Sequence, residues 1–424
     1  MRGRVAVAPR VLALVLAASP GCSRQARHAG QHDEGAAREP SSAAAREALP
    51  TVDTAARAGG AHAQPGPQAH PAASPVAAGT KAFAAAGPVE YVLLVSVDGL
   101  APRFIDQLLR AGQLDTFRQL QRSGAWTHNA RSDAAYTVTL PNHTTMLTGR
   151  PVSAVKGLPP TTHHGYKSNM EPGDADTLHN SGNPALGYVP SLFDVVHDHG
   201  RKTCLFAGKH KFILYDRSYD ATHGATDRIG PDNGRDKIDV ALMTAGDTPR
   251  LLAAIAQEFR HAPCHLTFLH IAEADLVGHA KGWGSPDWLD TLRQVDRWLG
   301  TLLGVADTTA GVRDHWALVL TADHGGRDHH HGDAEDPRDY VVPFYVVGPG
   351  VPAGADLYSL VARTRTDPGT RQPSYDQAEQ PIRNGDAANL ALDLLGLPDV
   401  PGSLMKGMGL ASVSPGKPAC ATTH

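Results

Sequence analysis

The sequence predicts an α/β protein with a central, mostly parallel sheet flanked by helices on both faces. Three observations carry this. Continuous apolar runs of strand length recur along the chain, as expected of strands buried on both faces. Segments with helical spacing alternate with them. Three of the runs also end in a carboxylate: "LLVSVD" at Asp98, "LTFLHIAEAD" at Asp275 and "WALVLTAD" at Asp323. In open α/β sheets, ligands gather outside the carboxyl ends of the strands.

The elements follow in order. Tyr91–Val97, in "EYVLLVSVDGL", is the first strand. Two helices follow in "APRFIDQLLRAG" and "LDTFRQLQRSG", each closed by a glycine. The segment "YTVTLPNHTTMLTGRP" opens a third, because Pro141 suits a first helical turn. "SLFDVVHDHG" is a helix and "KTCLFAG" a strand; "TPRLLAAIAQEF" is a helix and "HLTFLHIAEAD" a strand. A long amphipathic helix, "DWLDTLRQVDRWLGTLLGVA", leads to the strand "WALVLTAD". "VVPFYVVGPG" is another strand, and "DAANLALDLLGLP" a closing helix stopped by Gly396 and Pro398. The polar region from "FAGKHKF" to "DKIDVALM" reads as a small cap within 208–245. No internal repeat is visible.

The 424 residues suffice for one large domain or two ordinary ones. A formal charge of -4 supplies no basic field for nucleic acid. The 23 His, some in tracts, point toward metal. Four Cys with no CxxC spacing make neither a disulfide framework nor a zinc finger. Cys204 and Cys264 each open an apolar run, so they read either as a disulfide or as two buried thiols.

Residues 1–22, "MRGRVAVAPRVLALVLAASPGC", place Arg2, Arg4 and Arg10 before an apolar stretch too short to span a bilayer. This is a signal peptide, ending either in ordinary cleavage or in lipidation of Cys22. The mature chain is expected to be exported: periplasmic, anchored to the outer membrane through Cys22, or secreted. Residues 23–88 contain no Ile, Trp or Tyr and read as a disordered Ala/Pro-rich spacer. Residues 89–410 form the catalytic domain, and 411–424 a flexible tail.

A strand-end Asp is commonly only a helix N-cap. The histidines change this reading. His279 follows Asp275 by four residues in "DLVGH", and Asp323 is followed by His324 and then by His329, His330 and His331 in "TADHGGRDHHHGD". Carboxylates and imidazoles on converging segments are zinc ligand chemistry. Thr139 stands at a helix N-terminus, where backbone N–H groups and the dipole favour an anion. A hydroxyl there, beside a metal, can ionise and attack phosphorus; the plain alternative is a capping threonine.

"VSVDGL", "TVTLPNHTTMLTGRP", "HHGYKSN", "DLVGH" and "TADHGG…HG" occur here in the order found in the type I phosphodiesterase/nucleotide pyrophosphatase branch of the alkaline phosphatase superfamily, which the chain resembles from about Tyr91 to Leu397. The resemblance implies an alkaline-phosphatase-like fold and two zinc ions. One would be held by Asp98, Asp323, His324 and the Thr139 oxygen. The other would be held by Asp275, His279 and a later histidine, where the following Gly332 favours His331 and leaves His329 and His330 as alternatives. Asn169 matches the family asparagine that hydrogen-bonds a phosphoryl oxygen. The implied reaction is a two-step displacement through a phosphothreonine at Thr139. The metals, Asn169 and the backbone N–H after Thr139 would hold the equatorial oxygens.

Lys209 and Lys211, just past a strand, read either as groups meeting a substrate carboxylate or phosphate or as exposed loop lysines. Sulfatase chemistry needs an oxidisable Cys or Ser where this chain has Thr139. Phosphomonoesterases of the superfamily usually carry a Ser nucleophile and a gripping Arg, and only Arg150 lies nearby. The expected substrate is therefore a small phosphodiester or pyrophosphate, with a monoester, a phosphonate or a non-catalytic metal-containing binding protein as alternatives.

Overall fold

The computed structural model describes residues 88–410. The signal peptide with Cys22, the spacer up to residue 87 and the tail 411–424 lie outside the described residues. Eight strands form one sheet: β1 (Tyr91–Val97), β2 (Ala125–Arg131), β3 (Thr203–Ala207), β4 (Val240–Met243), β5 (Leu266–Ile271), β6 (Trp316–Thr321), β7 (Val341–Val347) and β8 (Ala355–Asp356), in the order β4-β3-β5-β1-β6-β7-β2-β8. The β4-β3-β5-β1-β6 half is parallel throughout. β7 is antiparallel to both β6 and β2.

The runs "YVLLVSV", "LTFLHI" and "WALVLT" are buried almost throughout because helices cover both faces of the sheet centre. The long helix Pro286–Thr308 turns Leu292, Val295, Leu299, Leu302, Leu303 and Ala306 inward at helical spacing. Its buried Asp296 accepts from the N–H groups of Thr116 and Phe117 at 3.2 and 2.9 Å. That satisfies first-turn donors of the helix Asp115–Ser123.

β1 pairs with β5 and β6 so that Ser96 aligns with His270 on one side and Thr321 on the other. With all three strands parallel, Asp98, the segment after β5 and Asp323 emerge at one edge of the sheet. The helix Thr139–Thr148 arrives at the same edge, every residue of it buried. It ends at Gly149, whose φ of 62° is left-handed and where a Cβ would lie 2.1 Å from Ser403 Oγ.

Within 208–245, read as a small cap, Val240–Met243 pair with Cys204–Ala207 as the edge strand of the sheet. One expectation changes: Asp275 does not end a strand, since β5 stops at Ile271 and Asp275 lies in the first turn of the helix Glu273–Lys281. No described helix is long and apolar enough to cross a membrane.

Candidate active site

Two groups of potential ligands meet at this edge: Asp98 with Asp323 and His324, and Asp275 with His279 and His331. Asp98 Oδ1 lies 3.3 Å from His324 Nε2, and Asp323 Oδ2 lies 3.2 Å from the same nitrogen. Asp275 Oδ1 lies 3.4 Å from His279 Nε2 and 3.6 Å from His331 Nε2. The groups adjoin, because the rings of His324 and His331 stack at 3.6 Å.

The histidines are oriented from behind. His324 Nδ1 donates to Gly325 O at 2.8 Å, His279 Nδ1 to His329 O at 2.9 Å, and His331 Nδ1 to Thr137 O at 2.5 Å. A carbonyl only accepts, so each Nδ1 carries a proton and each ring turns its Nε2 inward. His279 and His331 then face each other Nε2 to Nε2 at 3.1 Å, two lone pairs that only a shared cation or proton can join. Asp98 Oδ1, Asp275 Oδ1, Asp323 Oδ2 and His324 Nε2 are all buried and lack a hydrogen-bond partner. Buried polar atoms are ordinarily satisfied. These four atoms lie together where the two triads meet, which fits divalent ions held by them.

His331 is buried and central, whereas His329 and His330 are exposed. His330 pairs with Arg327 through backbone hydrogen bonds in both directions, forming a short bridge that turns His331 inward. The His329 ring donates to His279 O at 3.0 Å while its own carbonyl accepts from His279, so it latches the loop to the helix.

Lys209 is no exposed loop lysine. Its Nζ lies 2.7 Å from Asp98 Oδ2, 2.6 Å from Asp275 Oδ2 and 3.4 Å from Thr139 Oγ1. One ammonium group thus touches a carboxylate of each triad and the threonine hydroxyl. Burial alone would lift the Asp98 carboxyl, but Lys209 and hydrogen bonds from His270 and His324 hold it well below the usual carboxylate range. For Asp323 the balance is reversed: burial and the neighbouring Asp98 charge outweigh His324 and Lys209 and push it up to about 8. Burial disfavours charge on His324, yet the carboxylates of Asp323 and Asp98 raise it to about 9. Burial and the His324 charge take His331 down to about 3. Three buried carboxyl groups crowd here against His324 and the single ammonium of Lys209, and this set of oxygen and imidazole donors fits divalent ions.

Thr139 is buried at the first position of its helix, with Val138 as the N-cap residue. Asn169 reaches it from the loop before "MEPGD". Its Oδ1 accepts from the Leu140 N–H at 3.0 Å and from Lys211 Nζ at 3.0 Å. The backbone N–H after Thr139, expected to meet phosphoryl oxygens, is therefore engaged by Asn169.

Sequence reasoning missed two buried histidines behind the ligands. His270 Nε2 donates to Asp98 Oδ2 at 2.9 Å. His143 donates from Nδ1 to Thr139 O and accepts at Nε2 from Ser96 Oγ, each at 2.8 Å. The available signal was a lone polar ring inside an otherwise apolar run, "LTFLHI", five residues before Asp275.

Comparison with solved structures places the fold beside an inactive variant of murine ectonucleotide pyrophosphatase/phosphodiesterase 5 in complex with AMP, at 14% identity and a TM-score of 0.50, covering 74% of this chain and 96% of that one. The human counterpart aligns at 14% identity and TM-score 0.47 over 73% and 96% of the two chains. Phosphonoacetate hydrolase from Sinorhizobium meliloti 1021, bound to phosphonoformate, aligns at 21% identity and TM-score 0.38 over 56% and 57%. At 14% identity the first of these likenesses is one of fold alone. No curated protein matches the sequence. The family of type I phosphodiesterases and nucleotide pyrophosphatases matches across residues 92–344, which includes Thr139, Asn169 and every residue of both triads. This chain belongs to the type I phosphodiesterase / nucleotide pyrophosphatase family.

Proposed function

We propose that this protein is an exported, zinc-dependent hydrolase of small phosphodiesters or pyrophosphates that acts through a phosphothreonine at Thr139. One observation carries the reading: two Asp/His triads with inward, unpartnered ligand atoms meet at one sheet edge beside the Thr139 hydroxyl. Asp98, Asp323 and His324, with Thr139 Oγ1, would hold one ion, and Asp275, His279 and His331 the other. Bound zinc would supply the Lewis acidity that lowers the Thr139 pKa and stabilises charge on the phosphoryl and leaving oxygens.

The chain's own groups do the rest. Thr139 Oγ1 loses its proton and bonds to phosphorus as the bond to one leaving oxygen breaks, and that oxygen leaves with the proton; water later cleaves the threonyl phosphoryl ester, which still carries the substrate's other group, and restores the hydroxyl. Asn169 uses its carbonyl on Leu140 and Lys211, so its Nδ2 amide is the end left to donate to a phosphoryl oxygen. His143, bonded to the Thr139 carbonyl, fixes the first helical turn under the nucleophile. Lys209 brings a positive charge beside the hydroxyl that must ionise.

Arg150 supports a diester over a monoester. Its guanidinium donates to the Thr161 and Pro401 carbonyls and is not spare to grip an extra phosphate charge. A second reading, a phosphonate or monoester hydrolase, draws on Lys209 and Lys211, two cations from one turn that would suit a further anionic group. Rates on bis-p-nitrophenyl phosphate, p-nitrophenyl phosphate and p-nitrophenyl sulfate, with zinc content measured in parallel, separate these. The diester should be fastest and the sulfate inert. Faster monoester turnover would favour the second reading, and zinc without turnover on any ester would mean a binding protein. Thr139→Ala should fold, keep zinc and lose at least about 10²–10³ in kcat, the scale of one lost transition-state contact; near-wild-type kcat would end the covalent scheme.

A further inference from the structure

One indole lies behind both triads. Trp283, just after the helix Glu273–Lys281, is almost fully buried and packs against glycines from three ligand-bearing segments. Gly99 follows Asp98, Gly278 precedes His279, and Gly326 lies two residues after His324. A Cβ on Gly278 would sit 2.5 Å from the ring, one on Gly326 2.2 Å and one on Gly99 3.1 Å. The segments at Gly278 and Gly326 therefore reach their positions only because they present no side chain to this ring, and the one at Gly99 packs tightly against it.

The polar and aromatic contacts of Trp283 lead to the same groups. Its Nε1–H donates to Gly99 O at 2.8 Å, and its backbone N–H donates to Asp328 O at 2.8 Å, in the loop that carries His331. The ring meets His279 nearly edge-on, with centroids 5.2 Å apart at 81°, and His331 at 5.8 Å and 64°. It touches both imidazoles of one triad, while on the other triad it reaches only the backbone after Asp98 and after His324.

We propose that Trp283 is a positioning residue that sets the His279–His331 pair, and so governs the ion held with Asp275 selectively over the ion held by Asp98, Asp323 and His324. This rests on the metal-centre reading above. An outer group that orients metal-binding imidazoles typically controls affinity by about 10–100-fold. A residue that only fills space would affect both ions alike or neither.

The test is zinc titration of the full-length metal-depleted protein against a chelating indicator, read as two separate affinities. Wild type should bind two ions. Trp283→Leu should weaken one by about 10–100-fold and leave the other within about twofold. Asp275→Asn, made in parallel, identifies the weakened site as its own. Trp283→Phe should show a smaller loss, because it keeps the ring contacts and drops the bond to Gly99 O. Gly278→Ala favours its helix by propensity and sets a methyl group 2.5 Å from the indole, so selective weakening there is expected from displacement of the ring; with Trp283→Phe it carries the test if Trp283→Leu fails to fold. Unchanged zinc affinities in Trp283→Phe and Gly278→Ala, or equal loss at both sites, would overturn the proposal. A wild type that binds no zinc would overturn the metal reading instead.

Discussion

At the scale of single residues, function turns on which nitrogen each histidine turns inward. Three rings donate Nδ1–H to backbone carbonyls, which bares Nε2 toward the carboxylates. The HHH run shows how far a linear reading reaches. Its chemistry was legible, but the choice among three neighbours was not, because the Arg327–His330 bridge sets it through backbone pairing. We expect His331→Ala to lose one zinc ion and at least about tenfold in kcat/KM. His330→Ala, at an exposed position, should change neither. Metal analysis and kinetics on the two variants check this; equal effects would contradict the assignment. Lys209 marks a second limit of sequence, because the turn after β3 that carries it into the centre has no signature of its own. His270 and His143 were silent for a similar reason, since a buried histidine is visible as functional only once its partner is known.

At the scale of elements, long apolar runs declared themselves, and β1, β5, β6 and β7 lie where such runs predict strands. β2 was missed because "AWTHNAR" carries polar residues on a strand that is only partly buried, and β4 and β8 are too short for a periodic signal. The segment after the helix Ile213–Ser218 is fastened by charge. Lys237, fully buried, pairs with Asp227, lies 3.6 Å from Asp198 Oδ1 and donates to Gly234 O at 2.9 Å. Lys237→Met would leave Asp227 buried without its main partner. It should lower unfolding free energy by about 3–5 kcal/mol, measured by urea denaturation, with Asp227→Asn recovering part of the loss. Burial would raise the Asp227 carboxyl, but hydrogen bonds from Lys237 and the Asn233 N–H hold it well below the usual range. A depressed folded value means this stability is complete above the ordinary aspartate pKa of about 4 and is lost as pH falls through the folded value. Acid titration of wild type should show that loss, and Asp227→Asn should not.

At the scale of the whole molecule, the parallel half of the sheet and the metal-centre reading are one fact seen twice. Three strands running the same way bring three distant carboxylates to one edge; Asp98 and Asp323 were legible just past strand ends, whereas Asp275 lies in the first turn of the helix after β5. The Cys204–Cys264 pairing was not decidable from sequence; in the fold the two form a disulfide across a separation of 60 residues, tying β3 to the entrance of β5. A loop of that length constrains the unfolded chain, so replacing both cysteines with alanine should cost about 4 kcal/mol. Thermal melts of the oxidised protein and the double variant check this. The most direct test of the central claim is acid quenching of the full-length enzyme during turnover of bis-p-nitrophenyl phosphate, followed by mass analysis of the peptide that contains Thr139. The account predicts a phosphoryl-bearing ester on Thr139 in wild type and none in Thr139→Ala. Rapid turnover with Thr139 unmodified at every quench time, and with Thr139→Ala still active, would contradict it.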